Sequence, residues 1–532
     1  MTSESPNINC LTDVEFLPTS HGRLSVRDAL LRAHKHDFDI TSSQPGFHFS
    51  SQVRLLAGIT AVVLQHEAKT PAELLNLGLS EAAVDKALEE LSAGAYLHDA
   101  QFPFMQRPAV NTSNPKDKAT YVGPGTHPVK KLSPAMPPNE SEDFANLLTA
   151  SQERLSLEDA VMWLVTYHHL SVAGNNAYCG DKCVSGSPAM RFVGTENSAT
   201  EVLWHGRSLL ETLLMAIPQS WVKGTGLPAW ADRTCAYSRH DGIVHPLWSA
   251  TWTSNSPATA WEASELVGVR TGGVPPEWFL TEMGSKDQQK DWWTLRNQKD
   301  PFYLYINNGK ELKLQRLDLG KDATALAINW AAQNKTAEFE KASSSHILPP
   351  TAPTAEARLV FIRHRMEGTA SSPNIRASEV FFPRDEEWAH DTNPDVQADI
   401  RLGANCIDKL HSTVIRPFRR ENANERAGGK VPLVLDFLES SRGDVSEAFW
   451  RNMSHNFSLL LKECRSAKSE FIASPELRTG LHTASMAAFD SVTQPHFGQE
   501  PARIAHVRAG VEYWVRRHIK DFVAEDPDAP TT

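Results

Sequence analysis

The 532-residue sequence has few of the features that mark secreted, fibrous or membrane proteins. Its six cysteines are too few for a disulfide framework in so long a chain, which favours a reducing compartment. The longest uninterrupted apolar stretches, such as Gly58–Leu64, fall far short of the roughly 20 residues that cross a bilayer. Residues 1–10 lack the basic start and apolar core of a signal peptide. We therefore expect a large soluble cytoplasmic protein with no membrane partner.

A surplus of positive charge is also missing. The chain has 53 Lys and Arg against 64 Asp and Glu, a formal net charge of −11. Proteins that bind bare nucleic acid through counterion release normally carry a basic surplus. Charge alone therefore favours a small-molecule enzyme. Any contact with nucleic acid must depend on local basic clusters, or on a complex whose other members supply the positive field.

The common catalytic signatures are absent as well. The sequence contains no P-loop, no nucleophile elbow and no zinc-protease His-Glu-x-x-His motif in a supportive context. Gly224–Ala229 nominally fits the dinucleotide fingerprint, but Pro228 lies inside it and no strand-like segment precedes it. No nucleophile or acid–base pair stands out, so the sequence argues against an enzyme and predicts no cofactor.

Four His-Asp dipeptides keep one enzymatic alternative open. They would suit a metal-dependent phosphohydrolase or nuclease if further His and Asp ligands converged on them. With 21 histidines in the chain, however, one or two such pairs are expected by chance. The dipeptides are His36-Asp37, His98-Asp99, His240-Asp241 and His390-Asp391.

Cys179 and Cys183 have the spacing of a zinc ligand pair. A tetrahedral site needs two more ligands, for which Cys235 with His240, or the pair His168-His169, are candidates. The histidine pair also ends a predicted helix, where a cation favours the helix dipole. Because one cysteine pair without a second is weak evidence, free thiols are the default interpretation and we predict no metal.

From residue 393 onward the sequence shows helical periodicity four times. Apolar residues recur at spacings of three and four in each segment, and Pro or Gly turn signals separate the segments. Short connections between such helices predict an antiparallel four-helix bundle over residues 393–532, with Ser446 as a cap of its second helix. The apolar stripes span Ile400–Val414, Phe449–Leu460, Leu477–Val492 and Ile504–Phe522.

Residues 1–392 predict a large, irregular, mixed α/β domain, so the predicted fold class is α+β. Long stretches without periodicity, at 106–143, 173–200, 222–260 and 268–300, are predicted to be functional loops or loops ordered by partners. Helical patterns lie at Val53–Gln65, Leu155–His168 (with Ser156 at its start), Ser208–Ala216 and Asp322–Gln333. Strand-like segments lie at Val202–Trp204, Phe302–Ile306 and Leu312–Leu317.

A projecting hairpin is predicted at 359–382. Two β-branched and aromatic runs, Val360–Ile362 and Val380–Phe382, flank the small polar run Glu367–Asn374. This pattern predicts two strands joined by a rigid polar tip.

Six segments, taken in order, resemble the CasA family, which provides the large subunit of the type I-E CRISPR surveillance complex Cascade. Their order and spacing along nearly the whole chain support the resemblance more than any single motif does. The segments are Ala100–Gln106, His127–Leu132, the helix 155–170 with Val172–Ala177 after it, Trp204–Leu214, the hairpin 359–382, and Val445–Trp450 within the helical tail.

The resemblance implies a non-catalytic DNA-binding subunit. In such proteins the N-terminal domain recognises the protospacer-adjacent motif (PAM) of double-stranded DNA through the minor groove. A hairpin wedge promotes duplex opening and R-loop formation. The helical bundle docks on other Cascade subunits, which hold the crRNA, and the subunit helps to recruit the CRISPR helicase–nuclease.

Three sets of residues correspond to the DNA-contacting segments of that family. In the first set two asparagines and an alanine stand where glycines are common in the family, and the second set lacks the glutamine that is frequent at the wedge tip. The zinc pairs of some members are not matched, so no metal is carried over. A purely structural scaffold subunit that never contacts DNA remains a further alternative. The sets are the glycine-type loop Gly174, Asn175, Asn176 and Ala177; the wedge Ser371, Ser372, Pro373 and Asn374; and a groove lysine, Lys286 or Lys290.

Overall fold

The described part of the chain falls into two compact units in the computed structural model. The first holds the described residues up to Phe381 and the second those from Pro394 onward. The predicted boundary at 392/393 lies outside the described residues and stays a prediction. The structure describes residues 8–42, 45–124, 127–133, 153–171, 177–183, 187–189, 201–283, 287–288, 291–292, 300–303, 305–307, 312–314, 346–348, 358–369, 372–381, 394–420, 433–467 and 471–522.

One long buried helix organises the first unit. This helix, α2 (Pro45–Leu64), is long and apolar enough over Gly46–Leu64 to cross a membrane by length and composition, yet that window is wholly buried inside the protein. It packs against α4 (Glu81–Leu91), α5 (Leu157–Leu170) and α6 (Leu209–Ala216), so it is a core helix. The other helices of this unit are α1 (Val26–Arg32), α3 (Pro71–Leu77), α4 (Glu81–Leu91), α5 (Leu157–Leu170), α6 (Leu209–Ala216), α7 (Gln219–Val222) and α8 (Pro246–Thr251).

The predicted starts of α5 and α6 are confirmed by serine caps, whereas the predicted start of α2 is wrong. The Ser156 and Ser208 side chains accept hydrogen bonds from the backbone N–H groups of Asp159 and Glu211, so both serines are N-caps. Helix α2 begins eight residues before the predicted Val53, because burial on all sides overrides the weak helix preference of its Gly- and Ser-containing first half. The predicted helix Asp322–Gln333 lies outside the described residues.

In the described part of the first unit, the strands form one three-stranded sheet and a set of two-stranded hairpins, all antiparallel. In this sheet β12 (Arg358–Thr369) lies between β13 (Ser372–Phe381) and β5 (Glu201–His205), and the predicted strand Val202–Trp204 is confirmed within β5. The strands are β1 (Leu17–Thr19), β2 (Gly22–Leu24), β3 (Ala177–Tyr178), β4 (Asp181–Lys182), β5 (Glu201–His205), β6 (Arg239–His240), β7 (Ile243–Val244), β8 (Asn255–Glu262), β9 (Glu265–Gly273), β10 (Tyr305–Asn307), β11 (Leu312–Leu314), β12 (Arg358–Thr369) and β13 (Ser372–Phe381).

The hairpin β8–β9 occupies stretches that the sequence pattern predicted to be irregular. Pro257 lies inside β8, and three glycines interrupt the strand pattern of β9. Proline is tolerated because Pro257 directs its carbonyl oxygen, and with it the position of its missing N–H, away from β9 and towards Arg107, whose backbone N–H donates to that oxygen at 2.9 Å. The prediction of loops at 222–260 and 268–300 is therefore wrong for these two strands.

The second unit is a C-terminal helical region, as the periodicity predicts. Its helices pack against one another, and the apolar stripes supply most of their buried residues. Trp514 departs from its stripe, with 40% of its surface exposed. The helices are α9 (Pro394–Ile415), α10 (Arg442–Ser466), α11 (Pro475–Thr493) and α12 (Pro501–Phe522).

The predicted cap at Ser446 is wrong. Helix α10 begins at Arg442, so Ser446 lies one turn inside it. Its hydroxyl oxygen is 2.8 Å from Nε2 of the buried His411 on α9. Interhelical hydrogen bonding, rather than capping, therefore explains this serine.

His48 makes the stability of the first unit depend on pH. Its ring is buried beside Trp163, with centroids 4.8 Å apart, and neither ring nitrogen has a hydrogen-bond partner among the described residues. Burial lowers the pKa of His48 from 6.5 to about 4. Between these two pH values His48 binds a proton in the unfolded chain but not in the folded chain. The free energy of unfolding therefore decreases as the pH falls from 6.5 towards 4.

We expect the variant His48→Leu to lose less stability than the wild type between pH 7.5 and pH 4.5. The difference should be about 2.5 kcal/mol, since pH 4.5 lies about two units below the unfolded pKa and one unit corresponds to about 1.4 kcal/mol. Urea unfolding followed by tryptophan fluorescence at the two pH values measures it, with His36→Leu, at an exposed histidine, as the matched control. An equal pH dependence in His48→Leu and the wild type would contradict the assignment.

Candidate nucleic-acid interface

The glycine-type loop follows a helix whose end is fixed by buried hydrogen bonds. Gly174, Asn175 and Asn176 lie outside the described residues, whereas Ala177 begins β3. Before the loop, the Ser187 hydroxyl lies 2.8 Å and 2.7 Å from the carbonyl oxygens of His169 and Ser171. Asn255 Nδ2 donates to Ser171 Oγ at 3.1 Å. The chain therefore leaves α5 in one defined position.

His168 and His169 occupy the last turn of α5, as predicted, but their rings are buried. His168 Nε2 lies 3.0 Å from the carbonyl oxygen of Thr251, and His169 Nδ1 lies 2.9 Å from that of Val165. The His168 contact joins α5 to α8, whereas the His169 contact lies within α5 itself. The pair thus packs within the fold instead of presenting an exposed charge at the helix end.

After the loop, β3 and β4 pack closely against the end of β9. A Cβ atom on Gly273 would lie 2.3 Å from the carbonyl oxygen of Lys182, and one on Gly272 would lie 2.7 Å from the backbone nitrogen of Tyr178. Such distances exclude any side chain, so both glycines are required for this approach. This is the physical reason for the glycines that disguise β9 in the sequence.

Arg107 joins the three strands at this point. It is 5% exposed, and its Nη1 donates to Asp181 Oδ2 at 2.8 Å and to the Gly273 carbonyl oxygen at 2.7 Å. Its guanidinium lies 4.9 Å from the centre of the Tyr178 ring, and that of Arg270 lies 5.2 Å from it. Tyr178 Oη donates to the Thr120 carbonyl oxygen at 2.9 Å. The segment after the loop is therefore held by an ion pair, by aromatic contacts and by hydrogen bonds.

Basic side chains collect around the same end of β9. Arg270 Nη1 donates to the carbonyl oxygens of Lys118 and Ala119, at 3.1 and 2.8 Å, and the backbone N–H of Val269 donates to His127. Burial, and then the nearby Arg270 and Lys131, lower the pKa of His127. Basic side chains thus outnumber the carboxylates of Asp117 and Asp181 in these segments, although the whole chain is acidic. The exposed lysines of this surface are Lys116, Lys118, Lys131 and Lys182.

Sequence reasoning missed Arg107, Arg270 and Lys118 as parts of this site. The available signal was weak: two of the stretches predicted to be functional loops, 106–143 and 268–300, contain them. The predicted groove lysines, Lys286 and Lys290, lie outside the described residues.

The predicted hairpin is confirmed, but the turn between its strands has fewer residues than expected. Strands β12 and β13 pair from Phe361 with Phe381 to Thr369 with Ser372, with a β-bulge between Arg365 and Met366. The wedge residues Ser372, Pro373 and Asn374 are therefore strand residues opposite Thr369, Gly368 and Glu367, and only 370–371 separate the strands. Ser371 lies outside the described residues. The prediction that Glu367–Asn374 forms the tip is wrong in extent, because the polar residues continue the ladder.

Beyond Ile362 the described part of the hairpin is a two-stranded ribbon, and β13 also packs against α2. β12 pairs with β5 only over Arg358–Ile362, so residues 363–369 have β13 as their one strand partner. At about 3.3 Å per residue, this ribbon extends about 23 Å. Its length suits a projecting element better than a core strand.

A buried ionic cluster lies at the root of the ribbon. Glu201 of β5 accepts hydrogen bonds from Arg54 Nε at 2.7 Å and from Ser50 Oγ at 2.6 Å, both on α2. Arg54 Nη1 donates to Asp300 Oδ2 at 3.1 Å, and His364 Nε2 of β12 lies 3.6 Å from Glu201 Oε2. Burial alone would raise the pKa of Glu201, but Arg54, His364 and Ser50 lower it to about 2. Glu201 is therefore ionised at neutral pH.

The residues proposed for metal chemistry do not converge in the described part of the chain. No group of three or more His, Cys, Asp or Glu side chains placed to hold a metal occurs there. Cys179 is exposed in the β3–β4 turn, whereas Cys235 is buried and burial raises its pKa to about 12. His240 Nε2 lies 2.8 Å from the Thr225 carbonyl oxygen. The pair His390-Asp391 lies outside the described residues.

The fold is similar to that of CRISPR-associated proteins of known structure. CasA of Thermus thermophilus matches with a TM-score of 0.62 and 16% identity, covering 97% of this chain and 100% of that chain. Thermobifida fusca Cse1 matches with a TM-score of 0.61 and 14% identity, covering 98% and 99%. A chain of a CRISPR RNA-guided surveillance complex matches with a TM-score of 0.64 and 14% identity, covering 97% and 99%.

The family model of CRISPR-associated protein Cse1 matches residues 11–490. The chain belongs to the Cse1 family, for which CasA is a second name. The resemblance inferred from the six segments is thereby confirmed. No curated protein sequence matches the chain.

We expect Gly273→Ala to loosen β4 from β9, because the new Cβ would meet backbone atoms of Lys182. Overpacking of this kind costs about 1–3 kcal/mol. Faster amide exchange in 177–183 and a lower urea midpoint would report it. The control Gly58→Ala places its Cβ 3.7 Å from the nearest atom, an ordinary contact inside α2. If both variants behave like the wild type, the close approach of β4 is wrong.

Proposed function

We propose that this protein is the large, non-catalytic subunit of a type I-E CRISPR Cascade complex and acts in the cytoplasm. It recognises the PAM of double-stranded DNA through the minor groove, promotes duplex opening and R-loop formation, and helps to recruit the helicase–nuclease. Its partners are the other Cascade subunits, the crRNA and the target duplex. The observation that carries the proposal is the firmly rooted ribbon β12–β13, present in the same unit as the basic surface around β9.

The glycine-type loop suits minor-groove contact. Readout there is degenerate, so short side chains and backbone groups suffice. Gly174 and Ala177 allow the backbone to approach base edges, and Asn175 and Asn176 provide hydrogen-bond donors and acceptors. The fixed positions of Ser171 and Tyr178 on either side support a defined presentation of the loop.

The basic residues around β9 supply phosphate contacts. Such contacts fix the register of a protein on the duplex without reading its sequence. In this proposal the guide RNA and basic subunits hold most of the DNA, so the net charge of −11 is no obstacle.

The ribbon acts as the wedge. A residue inserted between base pairs unstacks one step at a cost of about a few kcal/mol. Guide pairing then replaces DNA pairing in a nearly balanced exchange. A rigid ribbon that ends in Ser371, Ser372, Pro373 and Asn374 can therefore open the first target pairs without any chemical step.

The helices α9–α12 form, in this proposal, an antiparallel four-helix bundle that docks on neighbouring subunits. Large apolar side chains are exposed on this unit, and clusters of such residues mark interaction surfaces. They are Leu402, Leu433, Ile472, Phe497, Tyr513 and Trp514.

Two assays separate this function from its alternatives. A metal-dependent phosphohydrolase would bind metal and cleave nucleic acid as the isolated chain, whereas a Cascade subunit does neither. A purely structural scaffold subunit would leave the PAM-duplex gel shift of the assembled complex unaffected by changes in the loop or the ribbon.

Shortening the ribbon by two rungs tests the wedge. Deletion of 368–369 together with 372–373 removes the pairs Thr369–Ser372 and Gly368–Pro373 and keeps the alternation of strand faces. The tip then retreats by about 7 Å. We expect complex assembly and PAM-duplex binding to persist while strand opening, read by permanganate reactivity of target thymines, is lost. Strand opening by the shortened variant at the parent level would contradict the wedge assignment.

The groove lysine is tested by salt dependence. We expect Lys286→Ala to weaken duplex binding by the assembled complex, and to reduce the slope of log K against log salt by about 1, because one phosphate contact is lost. Lys290→Ala tests the second candidate, and Lys409→Ala, an exposed lysine of α9, is the control. If the slope of log K against log salt for Lys286→Ala equals that for Lys409→Ala, Lys286 does not contact DNA in the groove.

A further inference from the structure

The ionic cluster of Arg54 and Glu201 contacts the hairpin through His364, close to the point where β12 stops pairing with β5. His364 lies two residues beyond Ile362, the last residue of β12 that pairs with β5. The contact of His364 Nε2 with Glu201 Oε2 therefore falls where the ribbon leaves the sheet. The ring of His364 also stacks on Phe47 of α2, with centroids 5.8 Å apart and planes 12° apart.

The Glu201 carboxylate is held in one orientation. Oε1 accepts hydrogen bonds from Nε and Nη2 of Arg54, while Oε2 accepts from Ser50 and faces His364. Arg54 in turn is bound by Asp300, and its guanidinium lies 4.2 Å from the centre of the Phe302 ring. With each group bound from several sides, the cluster has little freedom to rotate.

Stability alone gives a weak reason for charges at this place. A buried ion pair often contributes no more than apolar residues of the same volume, whereas directional contacts can define a single geometry. Here a small change in geometry has a large effect, because the ribbon extends about 17 Å beyond His364. A change of about 15° in its direction moves the tip by about 4 Å, which exceeds the rise of about 3.4 Å between base pairs.

We propose that Glu201 and His364, oriented by Arg54, are positioning residues that set the direction of the ribbon β12–β13 and thereby place the wedge at one base-pair step. This inference rests on the proposed function for its role in strand opening. The orientation itself is a property of the free protein and is tested without DNA.

The first measurement uses distances between spin labels in the full chain. Labels at Ser372→Cys, beside the tip, and at Lys86→Cys, exposed on α4, report the ribbon direction, with the exposed Cys179 replaced by serine. His364→Phe keeps a ring against Phe47 but removes the contact with Glu201. We expect a broader distance distribution in His364→Phe and in Glu201→Gln than in the parent. The control His205→Phe removes another histidine–carboxylate contact of the same sheet, 2.7 Å from Asp39, away from the ribbon root. It should leave the width unchanged.

The second measurement follows strand opening in the assembled complex through a fluorescent base analogue beside the PAM. We expect His364→Phe to slow opening by about tenfold or more at unchanged PAM-duplex binding, because misplacement by a few ångströms has effects of that size. His205→Phe should open DNA at the parent rate.

The two measurements separate the inference from the function on which it rests. A distance distribution in His364→Phe and Glu201→Gln as narrow as in the parent overturns the positioning role, whatever the DNA does. A parent complex that binds the duplex but never opens it overturns the wedge function, while broadened distances would still support the orientation of the ribbon. Normal opening by His364→Phe despite broadened distances would show that direction does not limit opening, and would overturn the proposed link.

Discussion

The buried ion pair between Arg54 and Glu201 is the interaction on which the arrangement of the first unit depends. Both side chains are almost fully removed from water, so each charge has to be satisfied by the protein. The partners come from separate parts of the chain: α2 supplies Arg54, β5 supplies Glu201, and Asp300 and His364 close the cluster. Removal of one partner from such a pair costs about 3–5 kcal/mol, because a buried charge is left uncompensated. Helix, sheet and hairpin are thus joined by a cluster that has one satisfied arrangement.

Close backbone approach has a similar effect elsewhere in the first unit. Gly272 and Gly273 admit β3 and β4 to the end of β9, and Arg107 then binds Asp181 and the Gly273 carbonyl oxygen in the space that remains. The segment after the glycine-type loop is held by these contacts, and the exposed lysines stand around it. A chain with a net charge of −11 therefore presents a local surface on which basic side chains outnumber carboxylates, which reconciles its composition with the proposed contact with DNA.

The parts of the fold that depend on local pattern were predictable from the sequence, and those that depend on distant partners were not. The helical stripes of the second unit, the caps at Ser156 and Ser208, and the hairpin strands follow from spacing and capping chemistry. The strands β8 and β9 are not evident from the pattern, because Pro257 interrupts β8 and glycines interrupt β9. Gly272 and Gly273 are required by neighbours far along the chain, which the local sequence does not show. Ser446 was misread as a cap for the same reason, since its partner His411 lies on another helix. Nothing in the spacing of Arg54, Glu201 and His364 reveals that they meet, and of the candidate site residues only Ala177 and Ser372–Asn374 fall within the described part of the chain.

In the proposed mechanism the ribbon β12–β13 separates two DNA strands beside a short recognition motif. Site-specific cross-linking tests this most directly. A thiol-reactive photocrosslinker is placed at Ser372→Cys, in a complex whose large subunit carries serine in place of the exposed Cys179, and is activated on a target duplex with a single PAM. We expect the cross-links to map to the first base pair or two of the target next to the motif. Cross-links scattered along the duplex, or confined to protein, would contradict the mechanism.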